Sequence, residues 1–263
     1  MVPVLILAVL TAGPLLADSP VPGAPYYTAD SITNSAAAVA GSYAPNTFVT
    51  ITGQNLAYVS RAIASSDIAA NTLPTALGGT GVRVLINAFP AYLWYVSPTQ
   101  VYLLIPSLLT PGAATIQLEV NGVAGPEVQI LLNATAPGLF LYPDGMTVIA
   151  QHLDYSLVTA QAPAHDGELI VLYAGGLGQT SPPVPSGQIP QVAAQIQDLA
   201  GFRVWLDGVP VDPSLIEYVG VTPTCAGLYQ INLRLPPNVP SHPEIRISTA
   251  DGMSPGQRYL ALQ

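Results

Sequence analysis

Residues 81–90, GVRVLINAFP, return 120 positions later as GFRVWLDGVP at 201–210. Gly81, Arg83, Val84 and Pro90 are identical to Gly201, Arg203, Val204 and Pro210, and most other positions exchange like for like. Upstream, TFVTITGQNL (47–56) lies over ELIVLYAGGL (168–177) with one slipped residue; downstream, QVYLLIP (100–106) lies over QINLRLP (230–236). A unit repeated at this period cannot be one large mixed fold: the chain must build the same small architecture twice. Pro90 to Gln100 spans 10 residues and Pro210 to Gln230 spans 20, so the second copy carries a ten-residue insertion that places Cys225 and Gly227 in or beside an extra loop. The polar, Pro-containing stretch NATAPG (133–138) is the natural joint. The expected organisation is a leader over 1–17, an extension over 18–30, copy 1 over 31–135 and copy 2 over 136–263.

The pattern within each copy is that of strands. In QINLRLP, Ile231, Leu233 and Leu235 alternate with Gln230, Asn232 and Arg234, and in TIQLEV, Ile116, Leu118 and Val120 repeat the alternation. LIVLYAG (169–175) does not alternate, which predicts a strand covered on both faces, with the neighbouring copy as the cover. Asn-Gly and Asp-Gly pairs at 121–122, 144–145, 166–167, 207–208 and 251–252 suit hairpins. Gly and Pro together fill 50 of 263 positions, too many for a helical protein. The Ala-rich 35–40 and VAAQIQDLA (192–200) are expected as loop or a single helical turn. The fold class that follows is all-β, two tandem immunoglobulin-like β-sandwich domains.

Residues 2–17, VPVLILAVLTAGPLLA, form an uncharged apolar run ending in small residues, the form of a secretory signal and too short for a membrane span. The chain has six Arg, no Lys and fifteen acidic residues, a formal charge of −9. That balance excludes a nucleic-acid partner, which needs a concentrated basic face. It also leaves strand edges without their usual Lys guards, which favours self-association; the segment DSPVPGAPYYTADS (18–31) is the expected free arm for adding a strand to a neighbour. Cys225 has no partner for a disulfide and no adjacent cation to activate it, so it is expected to be a small core residue.

The segment YAPNTFVTITGQNL (43–56) resembles the opening of IPT/TIG domains, an immunoglobulin-like class. GELIVLYAGGLGQTSPPVPSGQ, followed by VWLDGVP and GLYQINLRLP, resembles the uncharacterised C-terminal module of secreted proteins from Solibacter-type acidobacteria. The resemblance implies a sandwich fold and an extracellular bacterial setting, and it brings no catalytic residues with it.

The chemistry of an active site is missing. His152, His165 and His242 lie far apart in sequence without ligand spacing. The one Gly-x-Ser-x-Gly match, GMSPG at 252–256, places Pro255 where a nucleophile elbow needs a backbone N–H. AGGLG (174–178) is expected to be a tight turn. No catalytic residue, metal or cofactor is expected. Arg83 and Arg203, equivalent in the two copies, are expected to pair with a carboxylate or a backbone carbonyl. One cluster suggests ligand contact: in FPAYLWYV, strand alternation puts Tyr92 and Trp94 on one face and Tyr95 on the other, a platform on which a sugar ring can stack. The expected function is a secreted, non-catalytic structural or adhesive module at the bacterial cell surface, self-associating or holding a protein partner. The alternative is a carbohydrate-binding module using Tyr92, Trp94 and Tyr95, with no membrane span once the leader is removed.

Overall fold

The computed structural model describes residues 23–263; the expected leader, 1–17, lies outside the described residues. The chain is all-β and immunoglobulin-like, two sandwiches in tandem. In the first, a six-stranded sheet runs in the order 39–40, 32–34, 48–52, 100–104, 92–96, 61–62. It packs on a second sheet in the order 123–124, 112–120, 82–86, 89–90, with 128–132 also paired to 112–120. The second sandwich has the order 138–139, 169–175, 229–234, 216–221, 194–196, 180–181 in one sheet, with 150–151 also on 169–175, and 209–210, 203–206, 245–249, 252–253 in the other. The long pairings are antiparallel, as sheets built from hairpins must be. The alternation seen in sequence sets the two cores. Ile116, Leu118 and Val120 are buried in the first, and Ile231, Leu233 and Leu235 in the second.

The repeat extends to the hairpin turns, with one informative difference. Asp207-Gly208 and its counterpart Asn87-Ala88 both sit in the left-handed region, at φ 47° and 77° in the second copy and 49° and 66° in the first. The first residue of each turn makes the same pair of bonds. Asn87 Oδ1 accepts from Thr115 N–H as Asp207 Oδ1 accepts from Glu244 N–H. Ala88 holds a conformation that its Cβ disfavours by about 1–2 kcal/mol. Ala88→Gly is therefore expected to stabilise the first sandwich by roughly 0.5–1 kcal/mol, after the larger chain entropy of glycine is set against the relief; denaturant titration reads this directly.

Three sequence expectations are corrected. The N-terminal segment is no free arm from residue 26 onward. Tyr26 pairs with Gln54 through two 2.9 Å backbone bonds. Tyr27 is buried in the first core, its hydroxyl donating to Pro126 O (2.6 Å) and accepting from Leu118 N–H (2.7 Å). Deleting 18–31 would thus remove a core side chain rather than a detachable strand. Next, residues 194–196, expected as loop or helical turn, form a strand between 180–181 and 216–221, because Ala194 and Ile196 alternate into the core around exposed Gln195. Finally, Tyr95 does not face away from Tyr92. A bulge between Leu93 and Tyr95 pairs Tyr92 with Leu104 and Tyr95 with Tyr102, turning both off the core, while Leu93 and Val96 enter it.

The sandwiches share a third apolar cluster at their seam. Phe48, Leu73 and Leu104 from the first meet Phe140, Ile149 and Tyr173 from the second. This is how the non-alternating strand 169–175 is covered on both faces: Ile170, Leu172 and Ala174 point into the second core, and Tyr173 points into the seam with Val171 packed beside it. The inserted residues of the second copy serve the same junction. After the strand Ile216–Val221 the chain makes a longer turn, and Cys225, Ala226 and Leu228 from that turn wedge into the seam. Burial pushes the Cys225 thiol up to about 12. Native protein is accordingly expected to react with thiol reagents at pH 8 far more slowly than the denatured chain, because little thiolate is present; native labelling as fast as that of the unfolded chain would contradict this.

The joint is held from both sides. Asn34, fully buried, donates to Ala136 O and Ser42 O (both 3.0 Å) while its Oδ1 caps Ala36 and Ala37 N–H. Asn46 donates to the Tyr229 hydroxyl across the junction (3.1 Å), and that hydroxyl donates to Gly178 O. A Pro-rich loop, 182–191, lies along the first sandwich. Leu73 N–H donates to Gly187 O (2.9 Å) and Ile189 N–H to Asn71 O (2.7 Å).

Candidate functional site

The bulge that reorients the aromatic strand also decides what its rings do. Tyr92 is claimed by the loop clasp: its hydroxyl donates to Ser186 O (3.0 Å), and Gly187 lies flat against its ring. It is a packing residue of the seam. Trp94, in the bulge, meets Phe48 edge to face (5.6 Å between centroids, 87° between planes), and Phe48 stacks on Tyr102 (4.9 Å, 3°). Such geometry is the preferred arrangement of aromatic quadrupoles, so the three rings form a rigid set.

Trp94 and Tyr102 form one wall of a cleft of about 270 Å³ between the sandwiches. The opposite wall comes from the second sandwich: Phe140, Tyr142 and Pro143 on one side and the inserted Cys225 and Leu228 on the other. The sequence's glycan candidates therefore divide. Trp94 lines the cleft, Tyr92 closes the junction beside it, and Tyr95 lies outside it. Tyr102, Phe140 and Tyr142 were missed because they are far from Trp94 in sequence and come together only across the domain seam. The spacing of Leu93 and Val96, three apart where a strict strand needs two, was the available sign of the bulge.

Polar groups edge this apolar slot. The Ser35 and Thr50 hydroxyls bond each other (2.9 Å), so one O–H proton of the pair is left to point elsewhere. The Gln100 side-chain amide and the Trp94 indole N–H make no hydrogen bond among the described residues; Gln100 uses only its backbone, with its N–H on Ser97 Oγ (2.9 Å). The Tyr102 hydroxyl is held well above its ordinary titration range by burial, so it stays neutral. Among the described residues, no Asp, Glu, Arg or His lines the cleft.

The groups that suggest catalysis are engaged elsewhere. Ser254 Oγ is buried and accepts from Ile247 N–H (2.9 Å), while Arg246 donates twice to the Ser254 carbonyl. Gly176 and Gly178 of AGGLG take φ 72° and 87° in a tight turn. Arg83 faces Glu119 (3.5 Å), and Arg203 donates to the carbonyls of Ala200 and Phe202 (2.7 Å each). Among the described residues, no three His, Cys, Asp or Glu side chains group as metal ligands, and no helix is long and apolar enough to cross a membrane.

Glu168 brings two of the histidine positions together. Its Oε1 lies 2.5 Å from His152 Nδ1, and its Oε2 accepts from His165 N–H (2.9 Å). His152 Nε2 faces Ala162 O at 3.2 Å. With an acceptor on each ring nitrogen the imidazolium is favoured, the Glu168 bond contributing most, and no nitrogen is left to act as a base. Because the folded-state pKa is raised, the stabilisation is fully present below the unfolded value of about 6.5 and is lost as pH rises through the folded value. The second sandwich is expected to lose stability on going from pH 6 toward pH 8, and His152→Gln to flatten that slope. An unchanged slope in the variant would contradict the pairing.

Residues 34–135 match the family model of the IPT/TIG domain. No curated protein sequence matches the chain. Among solved structures, similarity is found to the surface glycan-binding protein PbSGBP-B of Prevotella bryantii (13% identity, 89% of this chain and 41% of that one, TM-score 0.28). A second is the Bacteroides ovatus mixed-linkage glucan utilization locus SGBP-B (11% identity, 94% and 46%, TM-score 0.33). A third is the extracellular region of plexin A4 (11% identity, 91% and 16%, TM-score 0.27). The chain spans less than half the length of each.

Proposed function

We propose that this chain is a non-catalytic recognition module of the bacterial cell surface, which seats its ligand in the cleft between its two sandwiches. One observation carries the proposal. Aromatic walls from both domains face each other across a slot edged by the Gln100 amide and the Trp94 N–H, which make no hydrogen bond among the described residues, while the residues that mimic catalytic motifs are engaged in turns and packing. Gln100 and Trp94 are only partly buried, so water can satisfy these groups, and a ligand that covers them must supply hydrogen bonds in place of water's. The expected leader and the resemblance of the second copy to the Solibacter-type module support an extracellular setting. An adhesive role fits a clasped pair of domains that presents one preformed site. Self-association through an N-terminal strand is not part of this proposal, since Tyr27 belongs to its own core.

The test uses Trp94 as its own reporter. Trp205 lies in the other sheet of the second sandwich, its indole N–H on Ser248 Oγ (2.9 Å), and Trp205→Phe leaves Trp94 as the only indole. Titrating that variant with neutral polysaccharides, acidic polysaccharides and gelatin is expected to shift or quench Trp94 emission with at least one class. Binding that leaves Trp94 emission unmoved would place the ligand elsewhere and defeat the proposal.

A further inference from the structure

Resting on the cleft as the ligand site, we infer that its ligand is an uncharged glycan chain, with one ring on Trp94 between the sandwiches and the next beyond the Tyr142–Pro143 segment. Among the described residues no charged side chain lines the slot, which is the first argument. A carboxylated or sulfated ring entering the slot would leave water without a counter-charge, so acidic polymers are disfavoured. The second argument excludes a purely greasy ligand. Such a ligand would cover the Gln100 amide and the Trp94 N–H and leave both without water or partner. A group that is flat and apolar on its faces, hydroxylated at its rim and neutral meets both conditions, and a pyranose ring has that form.

The cleft's size and its neighbour set the length of the ligand. At about 270 Å³ the slot falls just below the roughly 300–1,000 Å³ usual for ligand sites, room for little more than one ring. Tyr142 and Pro143 also line a second hollow of about 350 Å³, which the half-exposed Tyr259 ring walls with Thr159. The same two residues are thus a shared wall with an aromatic-lined space on each side. The second hollow's carboxylate, Asp144, is satisfied by its own turn, accepting from Met146 N–H, Thr147 N–H and the Thr147 hydroxyl, so it does not call for a cation. A chain leaving the first slot over Tyr142–Pro143 finds its next platform at Tyr259.

Calorimetric titration of the full chain with cellohexaose, mannohexaose, xylohexaose, chitohexaose and hexagalacturonate, and with their monosaccharides, tests this. The expected result is binding of a neutral hexaose, at least 10-fold tighter than its monosaccharide, and at least 100-fold weaker binding of hexagalacturonate. Gln100→Ala should weaken hexaose and monosaccharide alike by 10-fold or more. Tyr259→Ala should weaken only the hexaose, and both variants should keep the wild-type thermal midpoint. Hexagalacturonate binding as tightly as the neutral chains would overturn the inference, as would hexaose binding that neither substitution moves. If Trp94 emission responds to gelatin and to no glycan, the inference falls while the cleft stands as the site; if a glycan binds with Trp94 silent, the cleft falls as well.

Discussion

Leu233→Asp is expected to destabilise the second sandwich by ~3 kcal/mol or more, enough to lose its cooperative transition at moderate temperature. Leu233 has no exposed surface. Its strand, 229–234, lies inside the seven-stranded sheet, where Leu233 pairs with Ile170 on one side and Ile216 on the other. A carboxylate there has neither water nor a counter-charge, and protonating it still leaves two buried oxygens among leucines and isoleucines. Calorimetry of the variant should show the second domain melting far below wild type. A midpoint unmoved by the substitution would mean that the strand's inward face has been misassigned.

Gly187→Val is expected to act on the junction with a comparable total effect, while leaving both cores intact. Gly187 sits at φ 69°, and a Cβ built there would fall 2.2–2.6 Å from three ring atoms of Tyr92. The left-handed backbone alone disfavours a side chain by about 1–2 kcal/mol, more for a β-branched one. The Tyr92 ring cannot yield easily, because its hydroxyl is bonded to Ser186 O next door. The loop should therefore lift from the first sandwich, losing the bonds from Leu73 N–H and Ile189 N–H. The measurement is again calorimetric: a coupled transition in wild type should separate into two, with a combined loss of roughly 3 kcal/mol. The same variant should widen the cleft and weaken any ligand bound there. Two transitions already present in wild type, unchanged by the substitution, would show that the seam contributes little coupling.

What could be seen in the sequence was whatever repeats or alternates. The 120-residue shift gave the tandem pair, and period-two burial identified the inward faces of 115–120 and 230–235. The lack of alternation in 169–175 correctly foretold a second cover, because a strand apolar on both faces needs two packing partners. Local irregularity was harder. One extra residue at Trp94 inverts the facing of Tyr95, and simple alternation has no means of anticipating a bulge. The strand 194–196 was hidden because three residues flanked by Ala193 and Gln197 carry too little pattern to mark a strand. Little of the cleft was visible. Trp94 stood out as part of an aromatic cluster, but Tyr102, Phe140 and Tyr142 become its neighbours through the docking of two domains, an event set by the insertion around Cys225 and the loop at 182–191. Ion pairs were foreseeable in kind rather than in partner: of the two equivalent arginines, Arg83 found a carboxylate and Arg203 found carbonyls.

Hydrogen–deuterium exchange of the full chain, free and saturated with the tightest-binding neutral hexaose, tests the central claim most directly, because it reports every backbone segment at once. Slowed exchange is expected in 92–102 and 140–147 together, one segment from each sandwich facing the cleft, with the outer strands 112–132 and 203–210 unchanged. Protection confined to a single sandwich, or to those outer strands, would contradict a ligand seated between the domains.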